Sequence, residues 1–301
     1  MMHKAITARQ KGMAVIVALL VVLAAAVVTT RIIEEQGLLA RTLASERERA
    51  QAEWMLRGGM DWSRAILRFD AQTNATTRLD GIWAQPIVNL PVGSASNPEQ
   101  ALFTGQVEDE LSKFNLRNLA QDGLIQPQAL QELVRLFESL RIPAEVADNV
   151  AQRMAASQYG AESEPSAPGL QFVSDLAGVP GMTPVALATV SPFLTLLPST
   201  TKVNVNTASA EVLAAVVPGM DLARARSVVL ERDKGVWFNN VADFVNRLQL
   251  SGDEPGQRLA VQSQWFRVSG EIAGDQTLVA MQGLLYRADQ EAAPTVRWIS
   301  Y

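Results

Sequence analysis

Cysteine is missing from all 301 residues. Disulfides, thiolate nucleophiles and cysteine-ligated metals are therefore excluded. Histidine occurs once, as His3. If a leader containing it is removed, no imidazole remains, and imidazole is the commonest general base and metal ligand. A carboxylate pair or a serine–lysine pair is still available, but no motif arranges one, and the sequence reads as non-enzymatic. Basic residues are scarce as well: 26 Lys and Arg face 31 Asp and Glu, a net charge of -5. Nucleic-acid binders usually carry a basic surplus, so the balance leans against one. Proline is absent from residues 31–70. The chain is long enough for about two domains with a sizeable core.

What is present begins with a long apolar run. Residues 1–12 carry Lys4, Arg9 and Lys11 and no acid; residues 13–28 are unbroken apolar sequence, followed by Thr29, Thr30 and Arg31. About 18 helical residues reach roughly 27 Å, enough for a bilayer core. The positive charges precede the run, which predicts a single pass with the amino terminus cytoplasmic and the rest exported. Three readings fit. A cleaved signal peptide would use Ala24-Ala25-Ala26 as its site. A simple anchor needs only the apolar run. The third reading rests on the order basic leader, Gly12, apolar helix from Met13, which resembles the type IV prepilin signal. There the cut falls after the glycine, and the apolar helix is kept.

Residues 31–70 contain only Gly37, Gly58 and Gly59 as glycines. Leu39, Leu43, Ala50, Trp54 and Ile66 recur at helical spacings, while Arg41, Glu46, Arg49, Glu53 and Arg57 supply alternating charge. The pattern predicts a helix from 13 to 57, about 65 to 70 Å long, with Gly58-Gly59 as its bend or end.

Beyond it, residues 70–112 read as strands and loops, with one strand at 101–107. Residues 265–272, 277–287 and 295–301 read as further strands of an antiparallel sheet packed on the first helix. The stretch between, 113–252, is helical in pattern. Val179-Pro180-Gly181-Met182 recurs as Val217-Pro218-Gly219-Met220, each followed by a helix-capping residue, Thr183 or Asp221. Residues 203–248 resemble a helix-hairpin-helix unit, an all-α fold often found on DNA. Asp221 replaces the second glycine of the phosphate-binding turn and would repel a phosphate. Residues 201–250 hold six basic against five acidic side chains, so there is no basic stripe. A membrane-anchored DNA-binding or uptake protein stays as an alternative, and so does a type IV pilus minor pilin.

Four stretches carry a broader resemblance: the leader KG-MAVIVALL, AEWMLRGGMDWSRAIL, KFNLRNL and PVALATVSPFLTLLPSTTKVNVNTASAEVLAAVVPG. Together they are similar to general secretion pathway protein K, the large minor pseudopilin of the type II secretion system. The resemblance implies an α+β fold: a pilin-like long N-terminal helix on an antiparallel sheet, with a large all-α inserted domain. Its divisions are a cleaved leader at 1–12, a transmembrane and spine helix at 13–58, core at 59–112, two sterile-alpha-motif-like halves at 113–200 and 201–252, and core again at 253–301. It implies cleavage between Gly12 and Met13 by prepilin peptidase, and N-methylation of Met13. The family's partners are the I- and J-type minor pseudopilins, through the first helix, and the inner-membrane assembly platform. Leu39, Leu43 and Trp54 are the interface candidates.

Pilins usually carry glutamate at the fifth mature position, where this chain has Val17. A subunit without that carboxylate cannot pair with the terminal amine of a neighbour, which suits the end of a filament. Some family members bind calcium in an acidic loop. Here the counterpart is Tyr159-Gly160-Ala161-Glu162-Ser163-Glu164, and Glu162 and Glu164 are too few for the six to eight oxygens calcium wants. Glu108-Asp109-Glu110 reads as a solvated cluster at a strand end. Trp54, Trp62 and Trp83 fit partner anchoring or core packing equally well.

Overall fold

The computed structural model describes residues 3–94, 97–160, 164–250, 257–274, 277–289 and 292–300. One helix, α1 (His3–Thr73), runs through the first quarter of the chain without interruption. With no proline to remove a ladder hydrogen bond, nothing stops it. Side chains at 13–50 are exposed. In the apolar run the hydroxyls of Thr29 and Thr30 donate to the carbonyls of Ala25 and Ala26, so neither is left bare.

Packing starts at Ala52. Ala52, Leu56, Met60 and Leu67 are buried, at steps of four, four and seven, and form one stripe. Gly58-Gly59, expected as a bend or end, does not end the helix, which continues to Thr73. Gly59 is a notch instead of a stop. A Cβ placed there would stand 3.3 Å from the Phe103 ring, so its absence lets the helix approach the sheet.

Strands β1 (Ile87–Ser94) and β2 (Asn97–Asp109) follow. The chain then enters a helical region with α2 (Pro127–Ser139), α3 (Ala144–Ala156), α4 (Pro184–Val190), α5 (Ala210–Val216), α6 (Leu222–Asp233) and α7 (Val241–Arg247). It returns as β3 (Trp265–Gly274), β4 (Leu278–Tyr286) and β5 (Thr295–Ser300). The five strands form one antiparallel sheet in chain order, with the whole helical region inserted between the adjacent strands β2 and β3. The fold is α+β.

Alternation sorts the sheet's side chains. Val107, Phe266, Val268, Ile272, Val279, Met281 and Leu285 join the α1 stripe and Trp83 in one core. Trp83 meets Phe266 edge-on at 5.5 Å, which resolves it as a packing residue. On the other face Leu111, Leu197, Trp265 and Leu284 pack with Tyr286 and Trp298 under the helical region.

The helical region has a single apolar cluster that runs from Phe114 to Leu259, so its two parts share one core. Residues 203–204 pair in parallel with 259–260, which carries the unit past residue 252. The repeated Val-Pro-Gly-Met forms the same turn twice. Gly181 and Gly219 take φ of 81° and 73°, Met182 and Met220 are buried, and Thr183 and Asp221 cap the next helix. The first turn follows a 3₁₀ segment at Val173–Gly178, the second follows α5.

Candidate functional site: the bare stem face and the buried joint

Two features of this architecture stand out as sites. The first is the face of α1 turned away from the sheet. Leu39, Leu43 and Trp54 are all exposed, Trp54 by 70 % although it lies two residues from the fully buried Leu56. Arg57 lies over the Trp54 ring at 5.2 Å, and Trp62 and Phe69 continue the exposed apolar surface. Ile66, counted in the same apolar stripe from sequence, packs instead against the sheet core. Gly12, Met13 and Val17 lie on the same helix, with Met13 and Val17 exposed in the apolar run.

The second feature was not foreseen. Glu108-Asp109-Glu110 was expected in solvent, yet Asp109 and Glu110 are buried. Asp109 ends β2 and Glu110 follows it, where the chain leaves the sheet. One Asp109 oxygen accepts from Thr207 Oγ1 at 2.6 Å, Ser263 Oγ at 2.6 Å and Asn204 Nδ2 at 3.1 Å. The other accepts from the Leu111 amide at 2.8 Å. Burial pushes the Asp109 carboxyl above its usual range, and these donors pull against that shift. Burial pushes Glu110 up too, but Lys113 at 2.9 Å and Arg267 at 3.0 Å outweigh it and hold the carboxyl below its usual range. Thr195 donates to the same carboxylate.

The joint extends from α1 to the helical region. Arg287 donates to the Ser263 carbonyl at 2.9 Å, to Thr77 Oγ1 at 2.8 Å and to the Leu67 carbonyl of α1 at 2.9 Å. It also faces Asp70 at 3.5 Å. A polar path thus runs from the last turns of α1 through Arg287, Ser263 and Asp109 to Thr207 and the helical region. KFNLRNL supplies a second clasp. Asn115 bonds the Ser199 carbonyl and the Leu197 amide, and Asn118 bonds the Thr201 carbonyl and amide. A signal for the joint was present in the sequence: the three acids sit between the core residues Val107 and Leu111, three positions before Lys113.

Glu164 is exposed, Glu162 lies outside the described residues, and no three metal-ligating side chains converge among the described residues. Glu164, the one candidate within the described residues, does not by itself make a calcium site. In the hairpin, the Asp221 carboxylate accepts from the Arg224 amide at 2.7 Å, so the helix start is occupied by its own cap.

The comparisons agree with this architecture. Two family models, both described as type II secretion system protein K, match residues 112–199 and 203–263. Type II secretion system protein K of Pseudomonas aeruginosa is 28% identical over 91% of this chain and 88% of its own length. Its counterpart in Pectobacterium carotovorum subsp. carotovorum is 25% identical over 94% of each. The chain belongs to the protein K family of type II secretion minor pseudopilins. A chain in the crystal structure of the GspK-GspI-GspJ complex from enterotoxigenic Escherichia coli has the same fold, with a TM-score of 0.63 at 19% identity, covering 85% of this chain and 97% of that one. In this protein K chain the first family match begins just after Asp109, and the second ends at Ser263, which donates to Asp109. The joint therefore marks where the family-specific helical region meets the sheet.

Proposed function

We propose that this chain is the end subunit of the pseudopilus and starts its assembly with the I- and J-type minor pseudopilins, supporting export of folded periplasmic proteins. Prepilin peptidase cuts between Gly12 and Met13, the Met13 amine is methylated, and the helix from Met13 stays as a single-pass anchor in the inner membrane. The amino terminus faces the cytoplasm and the sheet and helical region face the periplasm, next to the assembly platform. Leu39, Leu43 and Trp54 meet the partner helices. The observation that carries the reading is the long stem helix, bare on its far face and apolar at Val17. A carboxylate at that position would need a partner amine from a subunit beyond it. A chain without it needs no such subunit.

The first test is amino-terminal sequencing after co-expression with prepilin peptidase. Met13 as the first residue is the expected result; a mature end at Ala25 or Val27, or uncut protein, overturns the reading. The second is co-purification with I- and J-type pseudopilins. Leu43→Asp with Trp54→Ala should abolish it while the melting temperature holds.

A further inference from the structure

The sheet has two open edges and treats them differently. Edge strands present unpaired backbone groups, and proteins normally blunt them. On β1 this is done three ways. Pro91 has no N–H to offer, Asn89 adopts a left-handed φ of 51°, and the register with β2 shifts twice. β5 carries neither proline nor a left-handed residue, and its pairing with β4 shifts once, between Leu284 and Leu285, leaving Arg297 without an opposite residue on β4. It reads Thr-Val-Arg-Trp-Ile-Ser, strand-forming residues without proline, glycine or lysine, and no described strand lies beyond it.

The β5 edge is also held ready. Arg64 of α1 donates to the Pro294 carbonyl at 2.7 Å and pins the start of the strand. Phe172, from the helical region, meets Trp298 edge-on at 5.6 Å. Arg297 lies over Tyr286 at 4.8 Å and Trp265 at 5.8 Å. Phe172 and Trp298 together wall a cleft of about 280 Å³ between the helical region and the sheet, whose apolar lining includes Val173, Leu196 and Leu284. Its cations, Lys113 and Arg267, already serve Glu110. Arg297 is the one charge on β5, and it is exposed.

We propose that the outer edge of β5 is a docking surface that takes an extended, acid-containing segment of a partner protein as a sixth strand. Backbone pairing supplies the affinity, as in other strand additions. A carboxylate opposite Arg297 sets the register, and an apolar side chain rests against Phe172 and Trp298. A second copy of this chain is the poorer occupant, because two β5 strands would bring positive charges together. The surface is separate from the stem face, so the proposal stands or falls independently of the assembly reading.

The test uses the full chain in detergent and a capped heptapeptide alternating valine and glutamate, read by backbone hydrogen exchange. Exchange at β5 should slow roughly tenfold at saturating peptide while β1 stays unchanged. A peptide with every amide N-methylated should give no protection, and one with lysine in place of glutamate should bind more weakly. Phe172→Ala and Trp298→Ala should each weaken binding roughly tenfold. Unchanged exchange at β5, equal protection at β1, or equal binding of the N-methylated peptide would overturn the proposal. So would sedimentation showing that the chain alone dimerises and that dimerisation protects β5.

Discussion

Asp109 and Glu110 are adjacent in sequence, yet their surroundings displace the two carboxyl pKa values in opposite directions. Glu110 is held below its ordinary 4.5 by Lys113 and Arg267 against the pull of burial. Its contribution to stability is therefore present above that value and is lost as pH falls through the folded one. Asp109 is raised above 3.8 by burial. Its contribution is full below 3.8 and is lost as pH rises through the raised value. Two outcomes follow for chemical unfolding followed from about pH 3 to pH 7. Glu110→Gln should cost about 3 kcal/mol at neutral pH, because Lys113 and Arg267 lose their buried partner, and should flatten the acid side of the profile. Asp109→Asn should remove the opposing slope, so that stability climbs more steeply with pH than in the parent chain.

At the scale of the element, α1 shows how one helix serves two purposes. Leu56 and Trp54 are two residues apart and point to opposite sides, one into the sheet and one into solvent. Leu56→Ala should destabilise the fold by about 2 to 5 kcal/mol, read from denaturant midpoints. Trp54→Ala should leave the midpoint within about 0.5 kcal/mol and reduce co-purification with the partner pseudopilins. Val17→Glu should leave the sheet and helical region folded by near-UV circular dichroism, yet impair tip placement or membrane stability, since the added carboxylate has no amine above it. Unchanged secretion and complex formation by that variant would argue against the end-subunit reading.

For the whole molecule, periodicity and composition made most of the architecture legible. The apolar run, the charged continuation without proline and the alternating C-terminal segments foretold α1, β3, β4 and β5. Two things were hidden for physical reasons. Gly58-Gly59 looked like a stop because glycine is a poor helix former in isolation, but the Phe103 ring that needs the space comes from β2, more than forty residues later. Asp109 and Glu110 looked solvated because charge normally means exposure. The local cue, acids between the core residues Val107 and Leu111 with Lys113 close by, does not identify their other partners, Thr195, Thr207, Ser263 and Arg267, which come from segments 85 to 157 residues away. The stem face was legible as a stripe but not as the side turned outward, because which side of a helix is covered depends on where the sheet lies.

The insertion point has a mechanical consequence. Asp109 and Phe266 face each other across β2 and β3, so the helical region departs and returns through neighbouring positions in one ladder. Two covalent tethers about 5 Å apart resist pulling but not twisting. A body hung that way would swivel, and a load applied to its far side would be spent turning it before any reached the stem. The Thr207–Asp109–Ser263–Arg287 chain of bonds and the Glu110 ion pairs lie at the pivot and remove that freedom. With them in place, a torque on the helical region passes directly to the last turns of α1.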